Sequence, residues 1–372
     1  MNLAYIPSPT FSEFKVGPLT IHMYAICILI GVCVAVWILT VRWRRYGGTF
    51  DEVLDTTLVA VPSGLVGARI YHVLTRPEAY FPPTGDLSNI VKVWEGGMAI
   101  FGGVGLGALA AFLWCRHKRY PFALLADALA PGLMCAQAIG RLGNWFNQEL
   151  YGGPTTLPWG LKLNNADAMG KTQVCYDGQA CPTGTLFHPT FLYEMIWNLV
   201  GALAIVIIGR KFAKALKAGQ QFALYMMWYG LGRTWIEMVR IDYSPNILGL
   251  RTNVWTAVIV FVAGLIIFLT LSRQGADPQA LANQLAQVAA REQAELAEQE
   301  RSDAERKAAR RGQVRDGTAE VSGDAAAVPS PQISGNTGST SSESGTEEAS
   351  ATSQPDSAGQ DGSDAEESGV RR

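Results

Sequence analysis

Long apolar stretches separated by short polar loops make up most of the first 272 residues. Seven of them are long enough to cross a hydrocarbon core of about 30 Å as helices. They lie at 19–41, 53–74, 97–115, 122–139, 190–209, 221–239 and 253–272. The second and fourth are expected to be the weakest, because the second contains Pro62 and the fourth contains Asp127 and Pro131. The pattern predicts an all-α, polytopic membrane protein with about seven transmembrane helices.

Basic clusters orient these helices. They follow the first, third and fifth stretches, at 42–45, 116–119 and 210–217. Because short loops rich in Lys and Arg stay on the cytoplasmic side, the alternation places the N-terminus outside, the C-terminus in the cytoplasm and the loop after Ile139 outside. The first stretch has no basic segment before it and no small-residue cleavage site after it, so we expect no removable signal peptide.

The composition changes at Arg273. Beyond that point the chain contains no Trp, Phe or Tyr, and it carries 10 Lys and Arg against 18 Asp and Glu. Residues 278–312 have the composition of a polar helix, whereas 316–370 have 11 acidic residues and no Lys or Arg. Such an acidic segment buries too little apolar surface to offset its ordering entropy. We therefore predict a transmembrane domain at 1–272, a charged linker of helical composition at 273–315 and an acidic, low-complexity, disordered tail at 316–372.

The cysteines and histidines form none of the usual metal-binding spacings. The six cysteines include no C-x-x-C pair, and the four histidines are scattered, so we expect no metal, no cofactor and no nucleic-acid partner. Cys175 and Cys181 lie in the predicted exterior loop, where a short disulfide-closed loop would suit the oxidising side of the membrane.

The densest polar set lies at 139–153, with the sequence I-G-R-L-G-N-W-F-N-Q-E-L-Y-G-G. Arginine, asparagine, glutamine and glutamate alternate there with large aromatic residues. Aromatic side chains settle at the headgroup level of a bilayer, and the planar fork of Arg141 matches a phosphate. This stretch indicates a site at the membrane–water boundary. The alternative is an aromatic belt with a few polar side chains that reach water.

The sixth stretch carries a second polar set. Tyr229, Arg233, Glu237 and Arg240 are separated by four, four and three residues, so on a helix they fall within roughly 80° of one another. An arginine near mid-membrane costs about 2.5–3.5 kcal/mol on insertion scales, and such residues usually line a cavity. Arg240 lies near the outer end and can reach water, but Arg233 lies two turns further in. We interpret this face as part of a site.

Other polar residues lie on the same predicted side of the membrane. They are His22, Tyr24, Arg69, Tyr71, His188, Tyr193 and Glu194. Together these residues predict an arginine-lined cavity that is open to the outside and suited to an anionic lipid headgroup. Composition fits both a lipid-modifying enzyme and a transporter. Asp127 lies on the inner part of the fourth stretch, where it either braces helices or acts chemically.

The stretch G-R-L-G-N-W-F-N-Q-E-L-Y-G resembles the signature of prolipoprotein diacylglyceryl transferases, which are integral membrane enzymes of bacteria. The likeness covers most of residues 19–272 in the family's order. It includes I-H-M-Y at 21–24, G-A-R-I-Y at 67–71, G-G-M-A-I-F-G-G at 96–103, A-D-A-L-A-P-G at 126–132, H-P-T-F-L-Y-E at 188–194 and Y-G-L-G-R-T-W-I-E-M-V-R at 229–240. The residues after 272 have no counterpart in the shared pattern.

The resemblance implies a reaction and a location. The diacylglyceryl group of phosphatidylglycerol would pass to the thiol of the lipobox cysteine in a prolipoprotein signal peptide, forming a thioether and releasing glycerol phosphate. This is the first step of bacterial lipoprotein maturation. It implies a multi-pass protein of the cytoplasmic membrane with its active site toward the outer leaflet. By matched motif position, the expected catalytic residues are Arg141, Arg233, Glu237 and Tyr24. The expected substrate-binding residues are Arg141, Asn144, Glu149, Gly152, Arg240, Tyr229 and His188.

Two positions depart from the family pattern. Phe101 stands where many members have a histidine that is proposed as the base, and Phe191 stands where a glutamine is usual. Phe101 cannot take a proton, so either another group does so or the field of the arginines lowers the pKa of the thiol enough. Glu237, Tyr24 and His188 are the candidate bases, in that order. The alternative is an inactive relative, against which the intact arginine set argues.

Two other function classes remain. A transporter or flippase for an anionic lipid or solute would be expected to show related halves or matching broken helices, and the sequence has neither. A scaffold acting through the acidic tail would lose its activity on truncation after Ser272, whereas we expect little change in transferase activity.

Overall fold

The computed structural model describes residues 5–17, 19–83, 85–93, 96–164, 184–242, 244 and 246–323. The helices are α1 (Met23–Trp43), α2 (Phe50–Thr75), α3 (Ile100–Lys118), α4 (Phe122–Asn147), α5 (Thr190–Lys211), α6 (Gln220–Val239), α7 (Thr252–Gln274) and α8 (Pro278–Gly323). Short 3-10 helices lie at Arg44–Tyr46, Pro77–Ala79 and Leu87–Ile90. The predicted disulfide between Cys175 and Cys181, and most of the predicted tail, lie outside the described residues.

Each of the seven apolar stretches forms a helix, which confirms the predicted all-α membrane fold. Six of these helices, α1 to α5 and α7, are long and apolar enough to cross a membrane. α6 falls short of that apolarity because it contains Gln220, Gln221, Arg233 and Glu237. The expectation that the second and fourth stretches are the weakest is therefore wrong. The weakest helix is the one that carries the second polar set.

α4 is the central helix of the bundle. It packs against α1, α5 and α6, while α2 packs chiefly on α3 and α6 on α7. Small residues permit the closest approaches. A Cβ on Gly132 would lie 2.9 Å from the carbonyl oxygen of Ala35 in α1, and a Cβ on Gly107 would lie 3.4 Å from Cα of Gly64 in α2. The glycine-rich start of the third stretch is thus a helix-packing surface.

Asp127 ties α4 to the start of α6. Its Oδ2 accepts a hydrogen bond from the backbone N–H of Gly219 at 2.7 Å, and its Oδ1 accepts one from Phe222 at 2.8 Å. These N–H groups belong to the first turn of α6, where they have no partner within the helix. Of the two roles considered for Asp127, the structure supports the bracing one.

A small sheet joins the helix ends on the side where α4 ends and α5 begins. Its strands are β1 (Ile6–Pro7), β4 (Pro154–Thr155), β5 (Leu161–Lys162) and β6 (Leu186–Phe187), in the order β1-β5-β6-β4. β1 pairs parallel to β5, and the other pairs are antiparallel. Two hairpins complete the strands, β2 (Glu13–Val16) with β3 (Leu19–His22) and β7 (Asn246–Ile247) with β8 (Leu250–Arg251). Leu161 and Phe187 of the sheet form a buried cluster with Phe191 of α5. This packing fixes the two helix ends relative to each other.

The chain divides into two compact units, 1–304 and 305–372. Within the first unit, the beginning of α8 buries Ala282 and Leu285 in a core with Leu39, Val53 and Leu124. The residues just after the last membrane helix therefore take part in the packing of this unit.

Candidate active site

Three helices place charged side chains against one another. Arg141 is in the last two turns of α4, Glu194 is in the second turn of α5 and Arg233 is in the second half of α6. Nη2 of Arg141 lies 2.5 Å from Oε1 of Glu194, and Nη1 of Arg233 lies 3.6 Å from Oε2 of the same carboxylate. The side chains of Arg141 and Arg233 are 22% and 14% exposed. One carboxylate thus lies between two guanidinium groups that are almost removed from water.

Glu237 has more ion-pair partners than the other carboxylates of the cluster. Its Oε2 lies 2.9 Å from Nη2 of Arg233 and 3.5 Å from Nη1 of Arg240. Its Oε1 lies 3.1 Å from Nε of Arg251 and accepts a hydrogen bond from Asn253 at 2.9 Å. The side chain is completely buried. A buried carboxylate needs such partners to stay charged, and here it fixes the position of three arginines.

Arg240 and Arg251 complete the cluster around Asp242. Arg240 makes two hydrogen bonds to the carboxylate of Asp242, at 2.7 and 3.0 Å. Arg251 donates to the backbone oxygens of Arg240 and Asp242, both at 2.6 Å. Four guanidinium groups and three carboxylates are ion-paired here, so the cluster carries one excess positive charge.

The end of α4 supplies a chain of amides beside Arg141. Nη1 of Arg141 donates to Oδ1 of Asn144 at 3.0 Å, and Nδ2 of Asn144 donates to Oε1 of Glu149 at 3.2 Å. Asn147 donates to the same oxygen at 3.0 Å. The dense polar set seen in the sequence therefore forms one hydrogen-bonded group that orients Arg141.

Tyr24 approaches this group from α1. Its ring packs directly on Gly143, where any side chain would collide with it. Gly143 directly precedes Asn144, so the tyrosine lies against the end of α4 that carries the polar set. Its side chain is half-exposed, which leaves the phenol available to a ligand.

Gly152 and His188 act mainly through their backbones. The N–H of Gly152 donates to the carbonyl oxygen of His188 at 2.9 Å, and Gly152 forms an isolated β-bridge with Arg240. A Cβ on Gly152 would lie 2.8 Å from Cβ of His188. Nδ1 of His188 bonds to the hydroxyl of Tyr193 at 3.0 Å. These residues hold the start of α5 and the end of α6 together beside the arginines.

Several predicted residues lie apart from the ion pairs. Tyr229 packs against Tyr225, with ring centroids 6.2 Å apart. Phe101 is half-exposed beside Tyr71, and Phe191 stacks on Trp145 at 5.8 Å.

Arg69 is occupied by backbone carbonyls. It donates to those of Ile90, Gly96, Gly97, Asn89 and Lys92. The expectation that Arg69 shares the anion cavity is therefore wrong, because its donors hold the loop that precedes α3.

The sequence did not single out every member of the cluster. Glu194 is a polar residue one turn into its helix, and nothing in its spacing indicates that it bridges two arginines. Arg251 comes from β8, outside any helical periodicity. Among the described residues, no group of three or more His, Cys, Asp or Glu side chains is arranged to hold a metal ion.

Comparison with known proteins identifies a family. The sequence pattern of the family described as prolipoprotein diacylglyceryl transferase matches residues 12–270. Proteins called phosphatidylglycerol–prolipoprotein diacylglyceryl transferase are among the similar sequences. One from Bifidobacterium longum (strain DJO10A) is 73% identical over 294 residues, which is 78% of this chain and 93% of the relative. One from Bifidobacterium adolescentis is 63% identical over 77% of this chain and 85% of the relative. One from Streptomyces coelicolor, whose name carries the number 2, is 48% identical over 70% of this chain and 79% of the relative.

Proposed function

The chain belongs to the prolipoprotein diacylglyceryl transferase family, and from this membership we propose that it transfers the diacylglyceryl group of phosphatidylglycerol to prolipoproteins. It is a multi-pass membrane enzyme that carries out the first step of lipoprotein maturation. The observation that carries the proposal at the site is the pair Arg141 and Arg233, which face one carboxylate from two helices. Two such guanidinium forks can hold a single phosphate diester.

The acceptor is the thiol of the lipobox cysteine, and the site opens toward the outer leaflet of the cytoplasmic membrane. The orientation is supported by the basic residues that end α1, α3 and α5. Because α4 and α5 run in opposite directions, Arg141 near the end of α4 and Glu194 near the start of α5 lie away from those basic ends. Positive loops face the cytoplasm, so the arginine cluster faces outward.

The reaction is a displacement at carbon. The cysteine sulfur attacks the glycerol carbon that bears the phosphate, the C–O bond breaks, and glycerol phosphate leaves with the electron pair. Negative charge grows on the phosphate as that bond breaks. Guanidinium groups already fixed around it favour the transition state over the ground state.

The neighbouring residues shape the rest of the substrate site. Asn144 and Glu149 offer amide and carboxylate groups to the glycerol hydroxyls of the headgroup, and Tyr24 from α1 packs on Gly143 of the same helix end. Arg240 and Glu237 keep Arg233 in place. Gly152 and His188 hold the surrounding backbone, and Tyr229 lies on the site-bearing face of α6, one turn before Arg233.

A direct assay tests this function. The purified protein in lipid nanodiscs is incubated with phosphatidylglycerol labelled in its acyl chains and with a lipobox peptide, and the thioether product is measured by mass spectrometry. We expect labelled peptide and free glycerol phosphate in equal amounts. Movement of intact lipid between leaflets without thioether formation would instead support the transporter or flippase alternative.

A further inference from the structure

The proposed transfer leaves one proton without a destination. Only a thiolate attacks carbon efficiently, so the cysteine thiol must lose its proton as the C–S bond forms. The inference developed here rests on the proposed function, and it concerns which side chain takes that proton. A suitable group must lie beside the phosphate position and must be able to change partners when substrate binds.

Most carboxylates of the site have no capacity for this role. Glu237 is completely buried and contacts three guanidinium groups and an amide. Asp242 receives both hydrogen bonds of the Arg240 fork. Glu149 accepts from Asn144 and Asn147 at Oε1 and makes no ion pair with Arg141 or Arg233, so a phosphate bound by these arginines would not release it. The contacts of Glu237 and Asp242 give these two carboxylates structural positions.

Glu194 is bonded differently. Its Oε1 contacts Arg141, while its Oε2 lies 3.6 Å from Nη1 of Arg233, beyond hydrogen-bond reach. That Nη1 is buried and has no hydrogen-bond acceptor among the described residues. Arg233 therefore presents one unused donor on the side where Glu194 lies.

A phosphate held by both arginines competes with Glu194 for the same donors. When the phosphate takes Nη2 of Arg141 and Nη1 of Arg233, the carboxylate loses both ion-pair partners that it has among the described residues and stands next to a second anion. Two adjacent anions in a site that is largely removed from water repel each other strongly. Accepting a proton removes this repulsion. Substrate binding thus frees the Glu194 carboxylate to act as a base at the place where the thiol arrives.

We infer that Glu194 accepts the proton of the cysteine thiol. The sulfur pair forms the C–S bond, the C–O bond gives its pair to the phosphate oxygen, and the thiol proton moves to Glu194. The carboxyl then returns this proton to the departing phosphate monoester, which completes the balance without any further reactant. The charged groups that face Glu194 are Arg141 from α4 and Arg233 from α6.

The other candidate bases fit the geometry less well. Glu237, the first choice from the sequence, is completely buried among Arg233, Arg240 and Arg251. Its Oε2 makes no hydrogen bond within the described residues, but its burial keeps it from the thiol. His188 bonds to Tyr193, whose hydroxyl also accepts from Trp159 at 3.2 Å. Tyr24 contacts α4 through its ring and has no cation partner among the described residues. Glu194 is the one candidate that both substrate-binding arginines touch.

Comparison of two nucleophiles tests this assignment. A lipobox peptide with selenocysteine in place of cysteine needs no base, because its selenol is ionised at neutral pH. In the nanodisc assay, Glu194→Gln should lower kcat with the cysteine peptide by at least about 10², a typical contribution of a general base. With the selenocysteine peptide the same variant should stay within about tenfold of the wild type. Glu237→Gln is the matched control, and it should lower both rates by the same factor.

The rate ratio for the two peptides, measured on one preparation, is independent of how much protein is correctly folded. An equal loss of Glu194→Gln on both peptides would overturn the inference and assign Glu194 to lipid binding or packing. If Glu194→Gln shows no turnover with either peptide, Glu194→Asp decides, because it keeps a carboxylate but moves it. A lower cysteine-to-selenocysteine ratio than in the wild type supports the inference, and an unchanged ratio refutes it. Failure of the wild type to form any thioether would refute the proposed function itself.

Discussion

The guanidinium fork is the residue-scale feature on which the proposed chemistry depends. Arg141 binds a carboxylate with one Nη and an amide with the other, and Arg233 faces two carboxylates. A lysine ammonium would keep the charge but would supply one compact point of contact instead of two directed ones. Geometry and charge can therefore be separated by substitution.

Arg141→Lys and Arg233→Lys should each reduce thioether formation by at least about 10², which corresponds to about 2.7 kcal/mol of barrier. The loss follows from the missing fork, since the charge is retained. The initial rate with labelled phosphatidylglycerol measures it. Arg116→Lys, at the opposite end of the bundle on an exposed position of α3, serves as the control and should behave like the wild type. Near-normal turnover in both site variants would refute the assigned roles.

Two glycines of α4 give a second test at this scale. Gly143→Ala pushes a methyl group into the Tyr24 ring, whereas Gly140 has open space around it. We expect Gly143→Ala to lower the transfer rate by about tenfold, because the Tyr24 ring must move away from this end of α4. Gly140→Ala should leave the rate unchanged and raise helix stability by up to about 1 kcal/mol. Equal activity of the two variants would mean that the Tyr24 position is unimportant.

At the scale of elements, the site depends on how α6 is held. Asp127 of α4 caps the first turn of α6, and Arg42 of α1 bonds to Gln221 in the same turn at 2.7 Å. These contacts fix the rotation of α6 about its axis, and this rotation decides whether Arg233 faces Glu194. The first turn of α6, which Asp127 and Arg42 hold, and the half of α6 that carries Arg233 thus belong to the same helix.

Asp127→Ala should therefore reduce both stability and activity. The loss of a charged cap leaves two backbone N–H groups without partners, which costs about 1–3 kcal/mol. Thermal unfolding in detergent measures the stability, and the transfer assay measures the activity. Asp277 caps the exposed start of α8 with one hydrogen bond to Gln279, so Asp277→Ala is the control. A larger effect of Asp277→Ala would contradict the role given to the Asp127 cap.

Much of the element scale could be predicted from the sequence. Apolar length alone located seven helices, because a bilayer admits few other structures. Helical spacing placed Arg233, Glu237 and Arg240 on one face. The partners of these residues could not be predicted, because Glu194, Arg251 and Asn253 come from other elements and no local spacing encodes such contacts. The same limit left the role of Asp127 open and gave Arg69 a place in the wrong cluster.

At the scale of the whole molecule, the membrane-spanning bundle continues past its last membrane helix. Leu285 of α8 is fully buried in the core formed by the helix ends. Burial of a leucine side chain contributes about 1.5–3 kcal/mol. The composition change at Arg273 therefore does not coincide with the end of packing in this unit.

Two truncations test how far the packed unit extends beyond the last membrane helix. Removal of the residues after Gly323 should leave both the transfer rate and the unfolding temperature unchanged. Removal of everything after Gln274 should lower the unfolding temperature, because the Leu285 contacts are lost, while the transfer rate at low temperature stays near that of the full chain. A large loss of activity in the first truncation would instead support a functional role for the tail.

One side chain holds the loop before α3. The five N–H groups of Arg69 donate to five carbonyls of that loop, and a lysine has only three donors. Arg69→Lys should therefore make the segment between α2 and α3 accessible to an added protease, with cleavage there at least about tenfold faster than in the wild type. Unchanged cleavage would mean that other contacts suffice. Resistance of this segment to digestion would then depend on a single cation anchored inside the bundle.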